Sequence, residues 1–176
     1  MSYNAKEIAR YFFCLDKDET LFPKDKMITV NGLTMYEGNV RVNKFLHLSQ
    51  NVHIAKYGQK LFFNDLFAYV NGGIVLDVQT NYQVLKHLDN SHIEDFELDV
   101  ETEKFLKNMF CILRNAPIEE LIEISHEDEE WIECSALPRG RQIMNPLSRA
   151  EEYHTQYADV VSLIDEDYFR EEVANL

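Results

Sequence analysis

The sequence predicts a mainly α protein with a smaller β part (α+β): a compact bundle of six or seven helices carrying one or two small β-hairpins. Three observations predict it. Apolar residues recur at three- and four-residue steps in segments along the whole chain, the pattern of helices with one face in a core. Asn31-Gly32 stands between two β-prone runs, a strong short-range hairpin signal. No repeat, low-complexity tract or linker divides the 176 residues, so 1–176 is read as a single domain. Hydrophobic residues make up 45% of the chain, with only 6 Gly and 4 Pro, enough apolar content to offset backbone entropy and exclude disorder for the bulk.

The elements follow in order. Asn4 and Glu7 form a capping-box pair ahead of Ile8, Tyr11, Phe12 and Leu15, which predicts a short first helix. Met27–Val30 and Leu33–Tyr36 flank Asn31-Gly32, making residues 20–39 a hairpin excursion. A second helix is expected from about Arg41, with Val42, Phe45, Leu46, Val52 and Ala55 as its apolar stripe and Gly58 as its stop. Leu61–Phe63 and Leu66–Val70 read as two short extended pieces around Asn64-Asp65, broken by Asn71-Gly72-Gly73. From Ile74 a helical period returns through Val75, Val78, Tyr82 and Leu85.

Asp99 suits the N-cap of a helix whose apolar face is Phe105, Leu106, Met109, Ile112 and Leu113. Pro117 suits the first turn of the next, which carries Ile118, Leu121 and Ile122. Leu137–Arg141 is a loop. Ser148 and Glu151 predict a second capping box for a helix through Tyr153, Tyr157, Val160 and Val161, and a last helix from Asp165 carries Tyr168, Phe169 and Val173.

Charge narrows the function. The formal net charge is −14, so general affinity for a phosphate backbone is not expected. Residues 1–63 carry 9 basic and 6 acidic side chains, whereas residues 64–176 carry 8 basic and 25 acidic, so a charge-steered partner is expected to be basic and to meet the second half. Cys14, Cys111 and Cys134 are far apart and include no CxxC pair, which disfavours both a disulfide framework and a zinc knuckle. With a charged opening segment and no stretch of about 18 apolar residues, a soluble cytoplasmic chain is expected.

No catalytic constellation stands out, and no cofactor or metal site is read. His126 with Cys134, Asp128 or Glu129 is the nearest to one, but a histidine among acids is read as a cap or a salt-bridged structural residue. His47, His53, His87, His92 and His154 show no metal-ligand spacing. Gly72-Gly73 before a helix could cradle an anion, yet without a Walker pattern a plain turn is preferred. Arg139-Gly140-Arg141 is the basic cluster of the second half and is read as neutralising local acids, ahead of an arginine clamp on an anion.

The strongest signal is an acidic run: Glu119, Glu120, Glu123, Glu127, Asp128, Glu129, Glu130 and Glu133, with no Lys or Arg between them and Trp131 in their midst. It is either a solvated helix face or a recognition surface for a basic partner, with Trp131 as core or as an interface anchor, core being preferred.

Several blocks are similar to the Panacea domain, the SocA-like antitoxin family. They are Tyr3–Phe12, Asn43–Gln50 with Ala55–Phe62, Phe67–Val75, Leu121–Trp131 with its Ser125-His126, acids and Trp131, and Ile164–Phe169. The chain departs from that pattern in its longer hairpin excursion, in Gly73 where the family has proline, and in Val52 where an aromatic is common. The resemblance implies a non-enzymatic cytoplasmic binder, often phage-associated, that neutralises a toxin by contact or by delivery to a protease. No catalytic residues carry over. The expectation is therefore an antitoxin-like domain whose eight acids meet a toxin or other basic protein. The alternative is a phage-encoded, DNA-mimicking inhibitor of a nucleic-acid-binding defence enzyme, anti-CRISPR-like. A homodimer is also compatible.

Overall fold

A computed structural model describes residues 2–176 and has the mainly α architecture with two small antiparallel sheets. Helix α1 (Ala5–Leu15) is followed by the hairpin β1 (Met27–Val30) and β2 (Leu33–Tyr36), then by the long helix α2 (Glu37–Tyr57). Strands β3 (Leu66–Tyr69) and β4 (Gly72–Ile74) lead into α3 (Leu76–His87). Helices α4 (Val100–Leu113), α5 (Ile118–His126) and α6 (Glu129–Ser135) precede the two-residue strand β5 (Ile143–Met144). The chain closes with α7 (Ala150–Gln156), α8 (Ala158–Asp165) and α9 (Arg170–Ala174). No helix among the described residues is long and apolar enough to cross a membrane.

The local signals act where chemistry demands. Asn4 Oδ1 accepts from the Lys6 N–H, and Asp99 Oδ1 accepts from the Thr102 N–H, each satisfying a donor that a helix start leaves open. Asn31 and Gly32 both take positive φ, 49° and 79°, with Val30 paired to Leu33, the geometry a two-residue type I′ turn requires. Gly58 ends α2 in the left-handed region.

Other expectations shift. The hairpin runs straight into α2, which starts at Glu37 rather than near Arg41. The second turn falls at Val70-Asn71, and Gly72-Gly73 are strand residues paired with Tyr69 and Ala68 instead of breaking the chain. They therefore do not sit at a helix N-terminus, and the anion-cradle reading is dropped. β5 completes the sheet in the order β4-β3-β5. Ser148 lies in a 3₁₀ turn and donates to the Asn145 carbonyl, so the second capping box does not form. The C-terminal part is three short helices because the chain kinks at Tyr157 and again near Asp167, whose φ is +55°.

The core centres on α2, against which α1, α3, α4, α5, α7 and α8 all pack. Phe12, Phe22 and Phe110 meet Phe45 edge-on at centroid separations of 5.3–6.3 Å, the preferred geometry of aromatic pairs. A helix enclosed this completely is expected to be apolar all round. Yet α2 buries Asn39, Asn43, Lys44, His47, Ser49, Gln50, Asn51 and His53.

Candidate functional site

Asn39, Asn43, His47 and Asn51 are spaced by four, so they form one polar stripe along a buried helix. Their partners explain the stripe, because a buried polar group without one is costly. Asn39 Nδ2 donates to the Gln79 carbonyl (3.0 Å), and Asn43 Oδ1 accepts from the Val75 N–H (2.9 Å), fixing the start of α3. Lys44 Nζ donates to the Gly73 carbonyl at 2.8 Å. His47 Nδ1 accepts from the Gly73 N–H at 3.2 Å, which places the ring proton on Nε2, where it is donated to Asp128 Oδ2 at 2.7 Å. The stripe thus binds β4 on one side and Asp128 on the other.

Asp128 is the hub. Its Oδ2 also accepts from Asn51 Nδ2 (2.8 Å), while Oδ1 accepts from the Tyr153 hydroxyl (2.8 Å) and, as N-cap of α6, from the Glu130 N–H (3.0 Å). Burial alone would raise its carboxyl, but hydrogen bonds from His47, Asn51 and Tyr153 outweigh burial and hold it below the usual carboxylate range. Burial pushes the His47 imidazole down by more than Asp128 pulls it up. The pair is thus a neutral imidazole donating to an ionised carboxylate, both 0% exposed.

This corner divides the acidic run. Glu119, Glu120, Glu123, Glu127, Glu129 and Glu133 are exposed; Asp128 and Glu130 are buried and are withdrawn from the partner-facing set, since a side chain enclosed by its own fold cannot meet a partner. Glu130 accepts from the Asn145 N–H (2.7 Å) and from Arg149 Nε (3.0 Å), and Glu133 pairs with the same guanidinium. Glu119, Glu123 and Glu127 fall four apart in one outward row, with Glu120 alongside. Among the described residues none of these four, nor Glu129, forms an ion pair.

The remaining candidates find other roles. Arg139 and Arg141 are exposed and make no ion pair among the described residues; Arg149 does the neutralising expected of them, with Glu130, Glu133 and Glu152 around it. The His126 ring stacks on Trp131 at 3.9 Å and 13°, and its Nε2 donates to the Val70 carbonyl (3.1 Å). Trp131 Nε1 donates to the Tyr69 carbonyl at 2.8 Å. Trp131 is half-buried, packed on the edge of the core as a plate that ties α5 and α6 to the β3–β4 turn. Among the described residues His126 therefore forms no hydrogen bond or ion pair with Cys134 or a carboxylate. The Cys134 thiol is buried and pushed up to about 11 by burial and by Glu130. No group of three or more His, Cys, Asp or Glu stands together for a metal among the described residues.

Sequence reasoning missed the His47–Asp128 pair, whose members are 81 residues apart. The signal was present in Asn39, Asn43, His47 and Asn51: a helix stripe of neutral amides and a histidine, where a solvated face would carry Lys and Glu. Compared with protein-family models, curated proteins and solved structures, the chain matches none.

Proposed function

We propose that the chain is a non-enzymatic, acidic protein-binding domain, antitoxin-like in the sense of the family it resembles, that neutralises a toxin or another basic protein by direct contact. The observation that carries this reading is the outward row Glu119, Glu123 and Glu127 with Glu120, exposed and, among the described residues, without cation partners, on a helix anchored from beneath. Charges already paired at home contribute little to a partner, whereas unpaired ones steer it and fix its register. The His47–Asp128 pair fits this reading, because both ring nitrogens are engaged inside the fold and the pair is fully enclosed by it.

The test is capture of proteins from the native host on the immobilised chain, followed by salt titration of what binds. A basic protein released steeply by salt, and lost with the triple variant E119K/E123K/E127K, is the expected result. A partner whose binding ignores both salt and the reversal overturns the reading. Competition by duplex DNA for the captured protein would move the role to the DNA-mimicking inhibitor.

A further inference from the structure

Between the β1–β2 hairpin and the β3–β4 turn the fold leaves a small, open cleft. Leu33, Val40, Tyr69, Val70 and Ile74 wall it, and the lip residues Leu33 and Val70 are 45% and 50% exposed. Apolar lip residues around a concave, mostly apolar floor are the form a binding cleft takes. One cation lines it. Lys44 is 1% exposed, and among the described residues its amine donates to the Gly73 carbonyl alone, leaving N–H capacity without an acceptor in a site where that is costly. Asn31 Nδ2 donates to Asn71 Oδ1 at 2.7 Å, tying the hairpin tip to the neighbouring turn.

Helix α5 flanks this cleft. Ile118 and Ile122 on its inner side pack with Val40 and Met35 of the cleft wall, and His126 at its end holds the carbonyl of Val70. The unpaired row Glu119, Glu123 and Glu127 stands on the outer side of the same helix.

We propose that the cleft is the anchor point of the acidic surface: it takes one apolar side chain from a basic segment of the partner protein, whose Lys and Arg residues run along α5. The proposal rests on the reading of that row as a recognition surface. Charge complementarity chooses the segment and the apolar walls choose the inserted residue. The enclosed space is small, far short of a pocket for a drug-sized ligand, and takes at most one side chain. A backbone carbonyl entering with that side chain supplies an acceptor that Lys44 lacks.

The test uses two labelled ten-residue Lys/Arg peptides, one with a central leucine and its twin with serine there. At low salt the leucine peptide is expected to bind about tenfold more tightly, the effect of burying one such side chain, and to shift the methyl resonances of Val40 and Ile74. L33S/V70S, two half-exposed positions, should equalise the peptides with unfolding unchanged, and E119K/E123K/E127K should weaken both. Equal binding of the two peptides to the unaltered chain, still lost on charge reversal, overturns the anchor and leaves the acidic surface standing. Binding of neither, or binding indifferent to the reversal, removes the surface and the anchor with it.

Discussion

Glu127, Asp128, Glu129 and Glu130 are four consecutive acids with two opposite fates. Asp128 and Glu130 turn inward, the first to His47, Asn51 and Tyr153, the second to Arg149 and the Asn145 N–H. Glu127 and Glu129 face solvent and pair with no cation among the described residues. Composition treats the four alike; the break between α5 and α6, which Asp128 caps, separates them. A carboxylate is tolerated inside where donors converge on it, and only those left outside are available to another molecule.

The largest effect that can break this comparison is Asp128→Ala. It strands His47, Asn51 and Tyr153 at once and should cost about 3–5 kcal/mol, as when one partner of a buried charged pair is removed. Thermal unfolding checks it: at 2–4 °C per kcal/mol for a chain of this size, the melting point should fall by roughly 10 °C. An unchanged melting point would mean that the hub contributes nothing.

Acidity and alkalinity sharpen the same contrast. His47 has a folded pKa below its unfolded value near ~6.5, so the unfolded chain takes the proton first and stability declines as pH falls through that value. Asp128, also depressed, contributes stability that is present above ~3.9 and is lost as pH falls through that value towards its folded pKa. Burial brings Lys44 to about 7 against an unfolded value near ~10.4. The unfolded state then holds more protons between the two, and stability rises with pH in that window by up to about 1.4 kcal/mol per pH unit. Denaturant midpoints should therefore climb from pH 4 to about 8, below the range where the buried thiols Cys14, Cys111 and Cys134, all held above their ordinary pKa, turn the slope the other way, and Lys44→Met should flatten the limb above pH 7. A wild-type midpoint that falls between pH 7 and 8 would contradict the buried amine.

Glu130→Ala should cost less than Asp128→Ala, about 1–3 kcal/mol, because Arg149 keeps Glu133 and Glu152 and stays partly solvated. Chemical denaturation reads the difference. Smallest of all, E119K/E123K/E127K should change stability by no more than about 0.5 kcal/mol while slowing association with a basic partner about tenfold at low salt.

Much of the fold was legible because its signals are local. Asn31-Gly32 had to turn, Asp99 had to cap, and Gly58 had to stop α2, each through backbone geometry that few other residues supply. β5 was not legible, since two residues pair with Leu66 and Phe67 through tertiary placement alone. Gly72 misled for the same reason. It reads as a chain break, yet its φ of +97° lies in a strand, where a Cβ would overlap Ser125 Oγ and Lys44 Nζ. For the site, Glu119, Glu120, Glu123, Glu127, Glu129 and Glu133 are exposed. The inward turn of Asp128 and Glu130 depended on donors from α2 and α7, and no spacing within the run announces those.

The division of the acidic run is tested most directly by two charge-matched variants from the same four-residue stretch. D128N/E130Q and E127Q/E129Q each remove two carboxylates, and both are melted at pH 7. The first should lose several degrees or more and the second should stay within a degree or two of the unaltered chain. Equal losses in the two would show that the four acids share one environment and would contradict the account.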